Sequence, residues 1–390
     1  MSHENYMSKL LDGVEVEWKS LGEISKVLRG KRLTRSQLLA TEKFPVYHGG
    51  LEPLGYYGKS NRPANTTMII NVGASAGTVG YSSKEFWSSD GCFCLEHSNL
   101  LNNKFLYYFL IGYQHFIRSK VRVAGIPTLD AFVVEKILIP IPPLHIQSEI
   151  VQILDNFTEL TAELTAELTA ELTARKKQYT YYRDKLLTFE DGEVEFKPLG
   201  EVALKISSGG TPKTGVEEYY NGNIPWLRTQ EVNFGEVFDT EIKITEQGLK
   251  NSSAKLVPEN CVIVAMYGAT VGKIAINKIP LTTNQACANI QVDETIANYR
   301  YIFHYLYSKY DYIKSLGTGS QTNINAQIIK NILIPIPSLE EQMRIVSILD
   351  KFDTLTNSIS EGLPKEIELR KKQYEYYRDL LLTFPKKEEQ

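Results

Sequence analysis

The strongest constraint on this chain is that most of it is written twice. Ile137-Leu-Ile-Pro-Ile-Pro-Pro-Leu144 recurs as Ile332-Leu-Ile-Pro-Ile-Pro-Ser-Leu339, and Leu154-Asp155-x-Phe157 recurs as Leu349-Asp350-x-Phe352. Arg175-Lys-Lys-Gln-Tyr179 recurs as Arg370-Lys-Lys-Gln-Tyr374, each followed by Tyr-Tyr-Arg-Asp and Leu-Leu-Thr-Phe. From 137 to 332 the offset is 195, half of the 390-residue chain, and it holds for every one of these motifs. Glu17-Trp-Lys-Ser-Leu-Gly-Glu23 matches Glu195-Phe-Lys-Pro-Leu-Gly-Glu201 at an offset of 178, so the early part of each half varies while the late part keeps its length. A long-period repeat of this kind signals a duplicated architecture.

The variable parts, about 14–140 and 193–335, carry strand and turn signals. Met68-Ile-Ile-Asn-Val72 and Cys261-Val-Ile-Val-Ala265 are short apolar runs before Gly-rich turns, and helical patterns follow at Lys104 to Ile117 and Asn298 to Lys314. Each part reads as an α+β domain with a strongly bent sheet. After each Ile-Pro-Ile-Pro the pattern changes. From Leu144 to about Thr188 there is no Gly or Pro, and Leu144, Ile150, Val151, Ile153, Leu154 and Phe157 fall at helical spacing. Proline suits the first turn of such a helix, which would span roughly 65 to 70 Å at ~1.5 Å per residue. A rod that long cannot bury its own apolar stripe, so its expected partner is its repeat, about 338–384. That copy contains Gly362 and Pro364, which should break or kink it.

Inside the first rod Thr-Ala-Glu-Leu is written three times, from Thr161 to Leu172. Its residues are strong helix formers, so Leu160, Leu164, Leu168 and Leu172 should form one ridge, with the alanines nearly opposite. With Leu349 and Leu355 of the second copy they are the expected helix-packing residues. Tyr179, Tyr181, Tyr182 and their copies Tyr374, Tyr376, Tyr377 are also expected to pack rather than stack on bases. By element, the domains read 1–142, 143–190, 191–337 and 338–390.

Catalytic signatures are missing. Gly268-Ala-Thr-Val-Gly-Lys-Ile274 is one residue short of a phosphate loop and has Ile where the metal-holding hydroxyl belongs. Glu17-x-Lys19 and Glu195-x-Lys197 lack the upstream Pro-Asp of a nuclease site. The six histidines show no metal spacing, and the four cysteines neither build a disulfide framework nor complete a zinc site. Met1 to Leu10 lacks a signal-peptide core and no run approaches the ~18 apolar residues of a membrane span, so a cytoplasmic location without membrane contact is expected. The net charge is −3, unlike a simple basic nucleic-acid binder, yet Arg29, Lys31, Arg32, Arg35 and Lys43 form one basic stretch opposed only by Glu42.

Taken together, the Ile-Pro-Ile-Pro strands, the Arg-Lys-Lys-Gln-Tyr-x-Tyr-Tyr-Arg-Asp endings and the Thr-Ala-Glu-Leu repeats resemble the Type I restriction–modification specificity subunits. The likeness is greatest to members carrying variable numbers of that tetrapeptide. Gly210-Thr-Pro-Lys213 and Asn223-Ile-Pro-Trp226-Leu-Arg228 are similar to the opening of that family's recognition domains. The resemblance implies two tandem α+β target-recognition domains separated by two long antiparallel helices, in a pseudo-twofold repeat. It implies that the domains read the two halves of an asymmetric bipartite target in double-stranded DNA. It implies docking of two methyltransferase subunits and two motor–nuclease subunits, no cofactor on this chain, and S-adenosylmethionine, ATP and Mg on the partners. Base and phosphate contacts need donors and acceptors. The candidates are Arg29, Lys31, Arg32, Arg35, Lys59 and Arg62 in the first domain, and Lys213, Arg228, Thr229, Gln230, Gln321 and Asn323 in the second. Two other readings are a helical scaffold without DNA recognition and a solitary nuclease; a salt-dependent gel shift and metal-dependent cleavage separate them.

Overall fold

A computed structural model of the protein describes residues 9–11, 13–190, 192–317, 323–358 and 360–384. Two compact units emerge, one built from Met1–Leu168 with Glu366–Gln390, the other from Thr169–Lys365.

The first unit runs β1 (Glu17–Ser20), α1 (Leu21–Ile24), β2 (Val27–Arg29), β3 (Phe44–Tyr47), β4 (Gly55–Tyr57), β5 (Thr66–Ile70), β6 (Val79–Ser82), β7 (Trp87–Ser88), β8 (Cys92–Leu95), α2 (Asn103–Gly112), α3 (Gln114–Ser119), α4 (Ala131–Glu135), β9 (Leu138–Ile141) and the start of α5 (Leu144–Leu186). Instead of one bent sheet there are two, of order β2-β8-β5-β6 and β4-β3-β7. All five residues of β5 are buried, as expected of a central strand covered on both faces. Asn102 starts α2, its Oδ1 accepting the N–H of Lys104 and Phe105 at 2.9 and 3.2 Å.

The second unit repeats the plan with β10 (Glu195–Pro198), α6 (Leu199–Val202), β11 (Ala203–Ser208), β12 (Tyr220–Leu227), β13 (Gly235–Val237), β14 (Lys243–Ile244), α7 (Glu246–Lys250), β15 (Val262–Ala265), β16 (Ile274–Asn277), β17 (Thr282–Thr283), β18 (Cys287–Val292), α8 (Tyr299–Ser308), α9 (Tyr310–Ser315), α10 (Ala326–Lys330), β19 (Leu333–Ile336) and α11 (Leu339–Asn357). Its sheets are β11-β18-β15-β16-β13 and β14-β12-β17. In each unit the Ile-Pro-Ile strand forms a separate antiparallel ribbon, Trp18 opposite Pro140 and Phe196 opposite Pro335. A two-stranded ribbon tolerates proline because its edges need no ladder donor.

The first rod is a single helix of 43 residues, α5. Its copy is broken: α11 stops at Asn357 and α12 spans Gly362–Leu381. The break lies upstream of Pro364. Gly362 takes a left-handed φ of +75°, and Pro364 sits in the first turn of α12, where its missing N–H costs nothing.

The repeated motifs are explained by a reciprocal exchange between the halves. In the first unit the Phe157 ring meets Tyr377 at 5.9 Å, and the Tyr374 hydroxyl accepts from Thr158 Oγ1 at 3.1 Å. In the second, Phe352 meets Tyr182 at 5.7 Å and Tyr179 at 6.3 Å. The Leu-Leu-Thr-Phe ends cross over likewise. Leu381, Leu382 and Phe384 join the core of the first unit with Phe105 and Ile150, whereas Leu187 and Tyr179 join that of the second with Ile302 and Ile345. Within the first unit Phe157, Leu160, Thr161 and Leu164 of α5 line one groove together with Arg370, Gln373, Tyr374 and Tyr377 of α12. Of the six tyrosines expected to pack, Tyr181 and Tyr376 are the most exposed and lie edge-on to Tyr182 and Tyr377 at 5.3 and 5.4 Å. Leu164, Leu168 and Leu172 are half-buried on α5 and Leu355 on α11, Leu349 is fully buried, and Leu160 is exposed.

Each rod is fastened to its globular domain by two polar anchors. Asp155 accepts Lys104 Nζ at 2.7 Å and the Tyr108 hydroxyl at 2.6 Å. Its copy Asp350 accepts Arg300 Nε at 2.7 Å and meets His304 Nε2 at 2.7 Å. Burial opposes the charge of Asp350, but the His304 and Arg300 hydrogen bonds and their charge outweigh it and hold the carboxyl below its usual range. The second anchor is a buried glutamine. Gln147 accepts the Asn102 N–H at 2.8 Å and donates to the Leu100 and Pro142 carbonyls at 2.9 and 2.7 Å. Gln342 does the same with Asn298, Ile296 and Pro337 at 2.8, 3.2 and 2.9 Å.

Candidate nucleic-acid interface

In the first unit β2 and β5 both pair antiparallel with β8, and β3 runs parallel to β7. The loops leaving β2 and β5 therefore emerge at one end of their sheet. Backbone hydrogen bonds stitch them into a continuous rim. The Lys31 N–H donates to Ser88 O at 2.9 Å, Ser89 to Tyr47 at 2.9 Å, Asn71 to Gly91 at 3.1 Å and Gly73 to Pro127 at 2.9 Å. The second unit has the same rim, with Gly210 donating to Thr283 at 2.8 Å, Asn284 to Leu227 at 3.0 Å and Ile324 to Met266 at 3.0 Å.

The first of these bonds hooks the two sheets together, and it requires glycine beforehand. A Cβ on Gly30 would lie 2.1 Å from Ser89 O, and one on Gly209 would lie 2.0 Å from Thr283 O. An indole locks the following carbonyl in both units, from opposite strands. Trp87 Nε1, on β7, donates to Lys31 O at 2.6 Å. Trp226 Nε1, on β12, donates to Gly210 O at 2.9 Å. Val46 pairs with Trp87 and Trp226 pairs with Thr282, so the tryptophan has changed sides of the pair while its hydrogen bond is kept. Both units thus present a fixed loop, 30–35 and 209–213, at the same place on the rim.

The sequence candidates fall around these rims. Arg29 ends β2, its guanidinium over the Phe93 ring at 5.7 Å. Lys31, Arg32, Arg35 and Lys59 are exposed. Between residues 26 and 62 there are eight Lys and Arg against two Glu, which makes this the strongly positive part of the rim. Arg62 is different: it is half-buried, and its Nη1 and Nη2 donate to Asn61 O and Arg29 O at 2.7 Å each. It holds the loop rather than facing solvent. In the second unit Lys213 and Gln230 are exposed and Thr229 is half-buried. Arg228 is held by Glu231 at 3.4 Å and by Glu241, so its charge is largely neutralised. Asn323 is half-buried, its Oδ1 without a partner; Gln321 lies outside the described residues. Sequence reasoning missed three rim residues. The Asn71 and Asn284 side-chain oxygens are buried without partners, and Tyr267 is exposed beside Gly268. Single asparagines give no signal in a sequence; only the closure of the strand ends brings them together.

The features first weighed as enzymatic have structural roles. Gly268–Thr270 is a 3-10 turn between β15 and β16. Glu17 and Lys19 pair at 3.1 Å, and Glu195 and Lys197 at 3.3 Å, on exposed ribbons. All four cysteines are free and buried, and burial pushes the Cys261 and Cys287 thiols up to about 12. Among the described residues no group of three His, Cys, Asp or Glu could hold a metal ion, and no helix is long and apolar enough to cross a membrane.

Residues 13–174 and 191–369 each match the family described as the Type I restriction modification DNA specificity domain. This chain belongs to the Type I restriction–modification specificity subunits. The Escherichia coli Type I restriction enzyme EcoR124I/EcoR124II specificity subunit is 41% identical over 412 residues, covering 100% of this chain and 99% of the relative. The E. coli EcoprrI specificity subunit is 30% identical, covering 93% of each. A solved chain of a type I R-M system aligns over 95% of this chain and 98% of its own length with a TM-score of 0.66 at 17% identity, a likeness of fold. As a specificity subunit the chain is a non-catalytic, DNA-recognising component, which sets aside the scaffold and nuclease readings.

Proposed function

We propose that the rim of the first domain reads one half of an asymmetric bipartite DNA target and the rim of the second reads the other. The observation that carries this is the pair of equivalent rims, each with a glycine-hooked, indole-locked loop but with different side chains on it. The first rim supplies phosphate-directed charge, whereas the second supplies amides and hydroxyls suited to base edges. Functional modules are drawn at 1–142, 143–190, 191–337 and 338–390. The rods present Tyr181, Tyr376, Leu369 and Met343 to solvent, and with the domains they dock two methyltransferase subunits. Two motor–nuclease subunits complete the assembly. S-adenosylmethionine sits on the methyltransferase partners and ATP with Mg on the motor, in the cytoplasm where DNA is met.

In each half the phenylalanine and the tyrosine that pack against residues of the other half lie 25 residues apart, from 157 to 182 and from 352 to 377. The Thr-Ala-Glu-Leu repeats lie within that interval in the first rod, and their number sets the gap between half-sites. Methylation mapping after co-expression with the cognate methyltransferase subunits tests the reading. Exchanging residues 14–140 for those of a relative should change one half-site and leave the other intact. A change in both, or in neither, refutes it.

A further inference from the structure

We propose that the hairpin tip between Arg122 and Thr128 reads thymine methyl groups in the half-site of the first domain, through Val123 and Ile126. This rests on the rim being a DNA-reading surface. Arg122 and Thr128 exchange both backbone hydrogen bonds, at 2.9 and 3.0 Å, and Thr128 Oγ1 donates to Ile126 O at 2.8 Å. Gly125 supplies the left-handed φ of +81° that the turn requires. Gly73 donates to Pro127 O from the next loop, and Leu129 donates to Asn71 O at 2.9 Å. The tip is therefore a small, tightly braced hairpin set on the rim. Its side chains contradict its exposure: Val123 is 80% and Ile126 71% exposed, the most of any large apolar side chain among the described residues.

Two observations select DNA as what covers them. Arg118, Lys120 and Arg122 lead into the tip, and Asp130, already paired with Arg122 at 3.0 Å, is the only acidic residue from 114 to 130. Such a collar matches a polyanion. A protein partner would call for an aromatic or arginine anchor in a pocket, whereas two small branched aliphatics fit the C5-methyl that marks thymine in the major groove. The matching stretch of the second domain, Gly317-Thr-Gly-Ser-Gln321, is polar in sequence, so the two domains would differ in this mode of reading.

The test uses the chain complexed with its cognate methyltransferase subunits on duplexes carrying the mapped target. Each thymine of the first domain's half-site is replaced in turn by uracil, which lacks only the methyl. At one or more positions affinity should fall about fourfold, the value of one buried methyl. In the Val123→Ala, Ile126→Ala double variant that sensitivity should shrink below about twofold, with the salt dependence of binding unchanged. If no uracil matters while methylation stays sequence-specific, the inference falls and the proposed function stands. If the variant loses its methyltransferase subunits, the tip is a protein-docking element and the inference falls. If the wild-type complex shows no sequence preference, the proposed function fails first.

Discussion

Replacing Gln342 by methionine isolates the contribution of the buried glutamine anchor. The side chain is wholly buried, and it satisfies three backbone groups that β19, α11 and the turn before α8 leave open: the Asn298 N–H and the Ile296 and Pro337 carbonyls. Methionine keeps most of the volume and supplies no hydrogen bond. Leaving a buried backbone group unpaired costs about 1 to 3 kcal/mol. Pro337 O is in fully buried surroundings, whereas the other two groups are partly accessible to water, so the sum should be about 2 to 4 kcal/mol rather than three full penalties. Gln342→Glu should be worse at neutral pH, because a carboxylate would face two carbonyl oxygens where the amide donated. Its native pKa would then be raised, so its penalty should ease as pH falls towards 5 and a protonated acid donates to one of them. Urea unfolding of the full chain followed by fluorescence reads both effects. A loss under 0.5 kcal/mol in Gln342→Met, or a Glu variant as stable as wild type at pH 7, would refute the anchor.

Deleting Thr165–Leu168 shortens α5 by roughly 6 Å and rotates its far end by a net ~40°; with ~34 to 36° per base pair of DNA, the mapped gap should shrink by one base pair with both half-sites unchanged. Removing Arg32 and Arg35 together should weaken binding to all sequences and lower the slope of log K against log salt by about 2. Arg228→Ala should barely move that slope, because Glu231 and Glu241 already neutralise it; fluorescence anisotropy across a salt series decides. Asp350 is held below its usual range, so the unfolded chain takes up this proton first. Its contribution is complete above about pH 4 and is lost as pH falls through the lower native value. Thermal melts of Asp350→Asn should show a flatter acid limb below about pH 4 than wild type.

The sequence alone determined the duplicated plan, the rods and the family, because a motif repeated at one offset needs no knowledge of folding to be seen. The long helix was legible from its lack of breakers, and α2 and α8 from periodicity that local chemistry enforces. What the motifs are for was decided only by tertiary structure. Asp155 and Asp350 look like surface residues on a helix until Lys104 and Arg300 come within hydrogen-bond reach from some 50 residues away. Gln147 and Gln342 recur at the same 195-residue offset, but the repeat does not show their role, since an amide becomes an anchor only where three distant backbone groups converge on it. Two sheets replace the expected single bent one, and they are hooked together where Gly30 and Gly209 let the chain leaving one sheet approach the other, a contact set by the space left when a Cβ is missing. The same physics separates the candidate residues. Charge could be counted along the chain, but pairing could not. Arg62 and Arg228 resemble Arg32 and Arg35 in sequence, and only the folded environment, with carbonyls or glutamates already occupying their guanidinium groups, distinguishes a residue that holds the rim from one that faces outward.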